Sequence, residues 1–222
     1  MLVNTLCCLE RYEEAEKVQR KVLAATIIVS GERDCVTASQ MSILANALGQ
    51  QREFPEALRL AKEAVAILRA DGATEGTDDV TVPRSNDKMF LTSASVLAHL
   101  FGEQGDHDGA RTLYGEVLAM QSRVLGPDHP ETLGTTANLA ATMSRQGNFE
   151  EAKRLEIGVL RTMRRVLGPT HPHTVYVKDN LEYTLRCAQA SKDSKDSKSA
   201  NGPGRKNDPK STNGSKGLDG KG

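Results

Sequence analysis

What the chain lacks narrows the classes of protein to which it can belong. It has no tryptophan and only four phenylalanines and four tyrosines, so its core must be built from leucine, alanine and valine. Its formal net charge is zero, which argues against a dedicated nucleic-acid or membrane-surface protein, because such proteins carry a basic stripe. The most apolar run, residues 22–30, is far shorter than the roughly 18–20 residues that a membrane-spanning helix needs.

Neither the cysteine spacing nor any catalytic motif in the sequence indicates catalysis or metal binding. Cys7, Cys8, Cys35 and Cys187 form neither a paired metal spacing nor a disulfide framework, which favours reduced thiols and a cytoplasmic location. The sequence contains no GxSxG, GxxxxGKS/T, GxGxxG or HExxH motif, and these are the arrangements that position nucleophiles, phosphates or zinc. We therefore expect no enzymatic activity, no cofactor and no metal site, and neither nucleic acid nor membrane as a partner.

The strongest positive feature is an internal repeat. The segment LGPDHPETL at Leu125 returns as LGPTHPHTV at Leu167, an offset of 42 positions. Two ladders of equivalent residues follow from this offset: Leu2, Leu44, Leu97, Leu139 and Leu181, and Ala15, Ala57, Ala110 and Ala152. The alanine spacings are 42, 53 and 42 residues, so one connection carries about eleven extra residues. A fixed period of this size indicates stacked units, each of which buries its apolar face against its neighbours.

Each repeat unit reads as a helical hairpin. Apolar residues recur at three- and four-residue steps, which is typical of a helix with one buried face. Gly105 and Gly147 suit the end of a first helix, and Asp106 and Asn148 suit the N-cap of a second helix. In the longer connections between units, glycine and proline mark the end of one hairpin and the start of the next. The predicted helices are 1–9, 12–29, 36–51, 54–69, 88–104, 107–124, 130–146, 149–166 and 172–190.

A known family shares this pattern. Asn138-Leu139-Ala140, Gly147, Phe149 and Ala152, followed by LGPTHPHTV, resemble the tetratricopeptide repeat in its kinesin-light-chain-like form. The resemblance covers residues 1–190 and implies an all-α fold, a right-handed superhelical solenoid of antiparallel helix hairpins. We expect about four hairpins in residues 1–190, the first of them truncated, then a C-terminal capping helix. Residues 191–222 are rich in serine, lysine, glycine and asparagine, and we expect a disordered tail there.

Four features of the sequence depart from the repeat pattern. Residues 30–35 have lost the proline-histidine signature of the other connections, so the first units are expected to pack less tightly. Glu182 stands where earlier repeats have alanine, which indicates that no further helix packs on this last one. Met1 falls in the middle of a helix, so the chain is expected either to begin late or to be cut from a longer array. The loop at residues 70–88 is either a regulatory acidic loop or a tolerated insertion.

The histidines are interpreted as structural. His129 directly precedes Pro130, so we expect it to cap the following helix. His107 occupies a packing position between helices and has no nucleophile near it in the sequence, so a catalytic role is not expected.

The resemblance also implies a binding surface. In tetratricopeptide-like solenoids the first helix of each hairpin lines a concave groove that holds a peptide. The matching positions in this chain are Asn4, Ser42, Asn46, Ser95, His99, Glu103, Ala141, Arg145, Asp179 and Tyr183. The version of the family that clamps an acidic C-terminal tail uses lysines with its asparagines. This chain has serines at those positions, so that ligand is disfavoured.

Two functions remain open from the sequence. The first is a non-enzymatic scaffold that binds a peptide segment of a partner protein in the concave groove. The alternative is a truncated repeat arm of a larger multidomain regulator, whose catalytic or nucleotide-binding domain lies elsewhere. The N-terminal end has no cap in the sequence pattern, so it is also a candidate surface for self-association.

Overall fold

The fold is a series of helices. The computed structural model describes residues 11–74 and 87–200, and within these ranges the regular structure is entirely α-helical. In chain order the helices are α1 (Tyr12–Ser30), α2 (Cys35–Gln50), α3 (Phe54–Thr74), α4 (Asp87–Glu103), α5 (His107–Val124), α6 (Pro130–Arg145), α7 (Phe149–Val166) and α8 (Pro172–Ala200).

The helices stack as the repeat pattern predicts for a solenoid. Each helix from α1 to α6 packs on the next one in the sequence. In addition α2 contacts α4, and α4 contacts α6. These are the first helices of successive hairpins, so they form one layer and the second helices form the other. The predicted all-α hairpin solenoid is confirmed for this part of the chain.

The observed helix ends agree with the predicted ones to within one residue, with two exceptions. Helix α3 continues to Thr74 and α8 to Ala200, whereas the sequence pattern ended them at 69 and 190. Beyond 190 the serine, lysine and aspartate side chains still accommodate helix, and Gln189 donates a hydrogen bond of 2.7 Å to Asp193 one turn later. The predicted helix at 1–9, most of the loop at 70–88 and residues 201–222 of the predicted tail lie outside the described residues.

Burial confirms the two packing ladders. Ala15, Ala57, Ala110 and Ala152 are all fully buried, with no exposed surface. The leucines at the other equivalent position are buried in α2, α4 and α6, whereas Leu181 in α8 is half-buried. Small side chains on one helix allow the facing helix to approach, and the many weak dispersion contacts across the seam then add up.

The buried apolar residues form two clusters rather than one. The larger cluster extends from Leu23 in α1 to Leu139 in α6, and the smaller joins Leu133, Val159 and Met163 to Val177 of α8. Around the smaller cluster several buried side chains are polar, among them Gln121, Ser144, Glu156 and Thr184. The C-terminal hairpin and α8 are therefore held by a mixture of apolar packing and buried hydrogen bonds.

The turns use backbone conformations that the sequence partly predicts. Gly105 and Gly147 have φ of 85° and 83°, in the left-handed region that glycine adopts without steric cost. Arg52 occupies the same repeat position and has φ of 66°, where a side chain with a Cβ is disfavoured. The second hairpin therefore keeps the turn geometry of the others at some conformational cost.

Three connections between hairpins, those that lead into α2, α6 and α8, share a cap in spite of their different sequences. His129 Nδ1 accepts a hydrogen bond of 3.2 Å from the backbone N–H of Glu131, which confirms the predicted capping role. His171 does the same for His173 at 3.3 Å. Asp34 stands at the equivalent position of the degenerate connection and accepts from Val36 at 2.8 Å. An aspartate thus replaces the histidine cap, and this helix start does not need the proline-histidine signature.

The two predicted caps inside the hairpins differ. Asp106 accepts a hydrogen bond of 2.9 Å from the backbone N–H of Gly109 at the start of α5. Asn148, at the start of α7, makes no side-chain cap hydrogen bond, so the prediction was right for the first and wrong for the second. Replacing Asp106 with alanine should therefore lower the free energy of unfolding by about 1 kcal/mol.

Urea unfolding of the two matched variants measures this difference. Asn148→Ala is the control, because it removes a side chain from the same turn position without removing a cap hydrogen bond. Equal losses of stability in the two variants would show that the hydrogen bond to Gly109 contributes nothing.

Candidate functional site

The candidate site lies on the layer formed by the first helices of the hairpins. We call the surface of α2, α4, α6 and α8 that carries the predicted positions the concave groove. Its central part is a cavity of about 440 Å³ between α2, α4 and α6, which we call the groove cavity. The lining residues are mainly polar and small: Asn46, Leu91, Thr92, Ser95, Val96, His99, Gln121, Pro130, Glu131, Gly134, Thr135, Asn138 and His173.

Three of the predicted residues meet in this cavity. Asn46 comes from α2, and Ser95 and His99 come from successive turns of α4. The hydroxyl of Ser95 donates a hydrogen bond of 2.8 Å to the carbonyl oxygen of Leu91. Its proton is therefore already used, and its oxygen can still accept a hydrogen bond. Desolvation by the surrounding residues lowers the pKa of His99 below its ordinary value, with Glu103 opposing the shift and Arg145 adding to it. His99 is therefore mainly neutral at pH 7.

Two further predicted residues form an ion pair. Arg145 Nη1 of α6 lies 3.4 Å from Glu103 Oε1 of α4, and both side chains are partly exposed. An exposed pair of this kind contributes little to stability, but it places one charge of each sign beside His99. The same two charges act on the buried phenol of Tyr114. Burial raises the pKa of this phenol above its ordinary value.

The remaining predicted positions are not part of the groove cavity. Asp179 and Tyr183 lie exposed on α8, where a hydrogen bond with Cys187 raises the pKa of the Tyr183 phenol. Ala141 is half-buried on α6. Asn4 lies outside the described residues. Among the residues described, the cavity thus joins only part of the predicted set.

Ser42 is a correction to the prediction. It is buried, with 2% of its surface exposed, and its Oγ lies 2.6 Å from Oγ of Ser93 on α4. The small side chains let α2 and α4 come close together, so Ser42 contributes to the seam between hairpins and is not available to a ligand. The repeat pattern predicted the helix of Ser42 correctly, but its prediction that the side chain faces the groove was wrong.

Sequence reasoning missed Gln121. This residue comes from α5, a second helix, and the repeat pattern assigns such helices to the other layer. Its side chain is nevertheless buried against the groove cavity, and its Oε1 has no hydrogen-bond partner among the described residues. One signal was available, because Leu68 and Met163 occupy the equivalent position in the neighbouring repeats. Thr26 stands at the equivalent position of α1 but is only half-buried, so a buried polar side chain at this position is particular to Gln121 and makes it a candidate for function.

The opposite layer carries a second cavity, of about 500 Å³, between α3, α4 and α5. Its walls include Phe101, and Nζ of Lys62 lies 5.4 Å from the centre of that ring. Arg69 and Glu116 form an ion pair at its edge. Its polar side chains are thus already engaged with one another, unlike Gln121 in the groove cavity.

Within residues 11–74 and 87–200, histidine, cysteine, aspartate and glutamate side chains form no group of three or more that could hold a metal ion. No described helix is both long enough and apolar enough to cross a membrane.

Comparisons with known proteins agree with the repeat architecture. Sequence profiles described as tetratricopeptide repeat match residues 1–34, 37–70 and 90–156, and together these segments cover more than half of the chain. No curated protein sequence matches.

Solved structures match over most of the chain. Two are structures of nearly identical TPR-like repeats from a kinesin-light-chain-like protein of Podosopora anserina. The first, a form with a single substitution, has 21% identity and a TM-score of 0.65 and covers 90% of this chain and 89% of that one. The second has 20% identity and a TM-score of 0.65 and covers 88% and 87%. BtubC (BKLC) from P. vanneervenii has 20% identity and a TM-score of 0.58, with 82% and 70% covered. At these identities the likeness shows the fold alone.

Proposed function

Because the chain belongs to the tetratricopeptide repeat family, whose repeats mediate protein–protein interaction, we propose that it is a non-enzymatic scaffold. In this proposal it binds a peptide segment of a partner protein in the concave groove. The observation that carries the proposal is the groove cavity, which lies between α2, α4 and α6 and holds polar groups from five helices.

The polar groups of the two layers favour the concave groove over the opposite layer as the peptide-binding surface. Asn46 and Asn138 each offer an amide with both a donor and an acceptor, which suits the backbone of an extended peptide. On the opposite layer Arg20 pairs with Glu56, and Arg69 pairs with Glu116. A ligand there would have to replace interactions that the protein already makes, whereas in the concave groove the Glu103–Arg145 pair lies beside the cavity and not in its lining. The cysteine spacing supports a reducing, cytoplasmic location as part of the same proposal.

The ion pair beside His99 provides a test that leaves the packing ladders unchanged. Exchanging the two residues, Glu103→Arg with Arg145→Glu, preserves an ion pair but reverses the direction of the local field. Because the field at a binding site selects its ligand, the exchange should reduce recovery of the partner from cell extract by about tenfold, or roughly 1.4 kcal/mol. The measurement is quantitative mass spectrometry of proteins captured by the full chain and by the exchanged variant.

A matched exchange on the opposite layer is the control. Arg69 and Glu116 also join neighbouring hairpins through an exposed ion pair, so Arg69→Glu with Glu116→Arg is the same kind of change away from the groove. It should leave recovery unchanged. Loss of the partner with the control exchange and retention with the groove exchange would contradict the proposal and move the binding surface to the opposite layer.

A further inference from the structure

We propose that the groove cavity receives a basic side chain, a lysine of the bound peptide. This inference rests on the proposed function and specifies which residue of the ligand the groove selects. It follows from the unequal supply of hydrogen-bond acceptors and positive charge around the cavity.

A buried acceptor on α5 is the first element of this site. Gln121 has 4% of its surface exposed, and within the part of the chain that the structure describes its Oε1 lacks a hydrogen-bond partner. Leaving a buried acceptor unpaired is unfavourable, and the equivalent residues Leu68 and Met163 show that an apolar side chain fits this position. The repeat therefore keeps a polar atom where folding alone would favour leucine or methionine. A donor supplied by a ligand would satisfy that atom.

The charge around the cavity selects a donor with positive charge. Glu131 is the only formally charged side chain among the lining residues that the structure describes, and it is exposed in the first turn of α6. Ser95 already donates its proton to Leu91, so towards a ligand it acts as an acceptor. Arg145, which acts on His99 from beside the cavity, is paired with Glu103. The charge that remains at the lining is the Glu131 carboxylate, which would repel a carboxylate or phosphate and attract an ammonium group.

The rest of the lining suits the long stem of a lysine. Leu91, Val96 and Pro130 contribute apolar surface to the cavity. Lysine places four methylene groups against such a surface while its ammonium group meets polar partners. An ammonium group also has three donors, and Oε1 of Gln121, the Ser95 hydroxyl and the Glu131 carboxylate are acceptors among the residues that line the cavity.

A peptide array with one fixed residue tests the inference directly. The probe is a set of immobilised random nonapeptide pools, each with a different amino acid fixed at the central position, and the labelled full chain is applied to it. The lysine pool should bind the chain most strongly, about tenfold above the glutamate and norleucine pools, because a hydrogen bond to a charged group contributes more than a neutral one. Norleucine has the stem of lysine without its charge, so it isolates the role of the ammonium group.

Two variants assign the preference to the cavity. Gln121→Leu introduces the residue that stands at the equivalent position 68, so it should fold at least as stably as the parent and lose the lysine preference. Glu131→Gln changes an exposed side chain and should weaken the lysine pool selectively. Glu13→Gln is its control, because Glu13 is also exposed in the first turn of its helix but lies outside the cavity lining.

The outcomes separate this inference from the proposed function. Binding to the pools without a lysine preference, or a preference that survives both Gln121→Leu and Glu131→Gln, would overturn the lysine site and leave peptide binding in place. Failure of the chain to bind any pool would contradict both.

Discussion

Replacing Leu100 with alanine should lower the free energy of unfolding by about 2–5 kcal/mol, the range for a large buried aliphatic residue in a rigid core. Leu100 has 1% of its surface exposed. A Cβ placed on Gly49 would lie only 2.5 Å from Leu100 Cδ2, so the leucine packs directly on the backbone of α2. The surrounding helices cannot fill the space that truncation leaves, because two hairpins meet there.

Urea unfolding followed by circular dichroism measures the loss. Each repeat of a solenoid is stabilised mainly by its neighbours, so a weakened seam between α2 and α4 should also broaden the transition or divide it into two. Leu185→Ala is the control, because this leucine of α8 is 44% exposed and its truncation should cost much less. A Leu100→Ala variant as stable as the control would show that this seam does not hold the hairpins together.

Glu156 should make the stability of the protein fall as the pH rises. The residue has no exposed surface, and burial raises the pKa of its carboxyl from 4.5 to about 7, while a hydrogen bond from Thr184 opposes the shift. The folded state therefore keeps its proton at pH values where the unfolded chain has lost it. This contribution is fully present below pH 4.5 and is lost as the pH rises through about 7, a total on the order of 3 kcal/mol.

The Glu156→Gln variant should remove this pH dependence, since an amide stays neutral throughout. Other carboxylates, such as Glu16 and Glu56, have a lowered pKa and stabilise the fold as pH rises. The quantity to compare is therefore the difference between parent and variant in thermal unfolding at about pH 4.5 and about pH 8, on either side of the raised pKa. Glu150→Gln, an exposed change on the same helix, should parallel the parent. A Glu156→Gln profile that also parallels the parent would show that Glu156 is ionised in the fold.

The repeat explains where Glu156 stands. Ala61 and Tyr114 occupy the equivalent positions in the two preceding hairpins, and both are buried. In the last hairpin Thr184 of α8 lies 3.1 Å from Glu156 Oε1 and 3.0 Å from Ser144 Oγ. The position that holds alanine and tyrosine in the two preceding hairpins thus belongs to a buried polar cluster where α8 meets the hairpins. Gln19, at the equivalent position of α1, is also buried and polar, and it donates hydrogen bonds to Gln40. Oε2 of Glu156 has no hydrogen-bond partner in residues 11–74 and 87–200, which adds to the cost of ionising the carboxyl.

The architecture could be predicted because the repeat period carries it. The offset of 42 residues between the segments at Leu125 and Leu167 specifies which positions face the core, and every alanine of the ladder is buried where the period places it. Helix ends were predictable where glycine, proline or a histidine cap marks them. They were not predictable for α8, because a polar segment with alternating charge is compatible with both helix and disorder.

The candidate site was predictable only in part, since the period assigns residues to helices but does not resolve contacts between hairpins. Ser42 was expected in the groove, yet it lies buried against Ser93 because both side chains are small enough for their helices to meet. Gln121 was not expected there, because its helix belongs to the other layer. Both outcomes depend on how far one hairpin is displaced relative to the next, and that displacement is a property of packing.

The five histidines of the chain allow the most direct test of groove binding. His99 and His173 line the groove cavity, whereas His107 begins α5 away from it. The measurement is a titration of the full chain with a nonapeptide selected from the strongest array pool, followed by the ¹H–¹³C signals of the imidazole rings. The account predicts that the His99 signal shifts and saturates with peptide while His107 stays unchanged. A saturable shift at His107 with no change at His99 would contradict it.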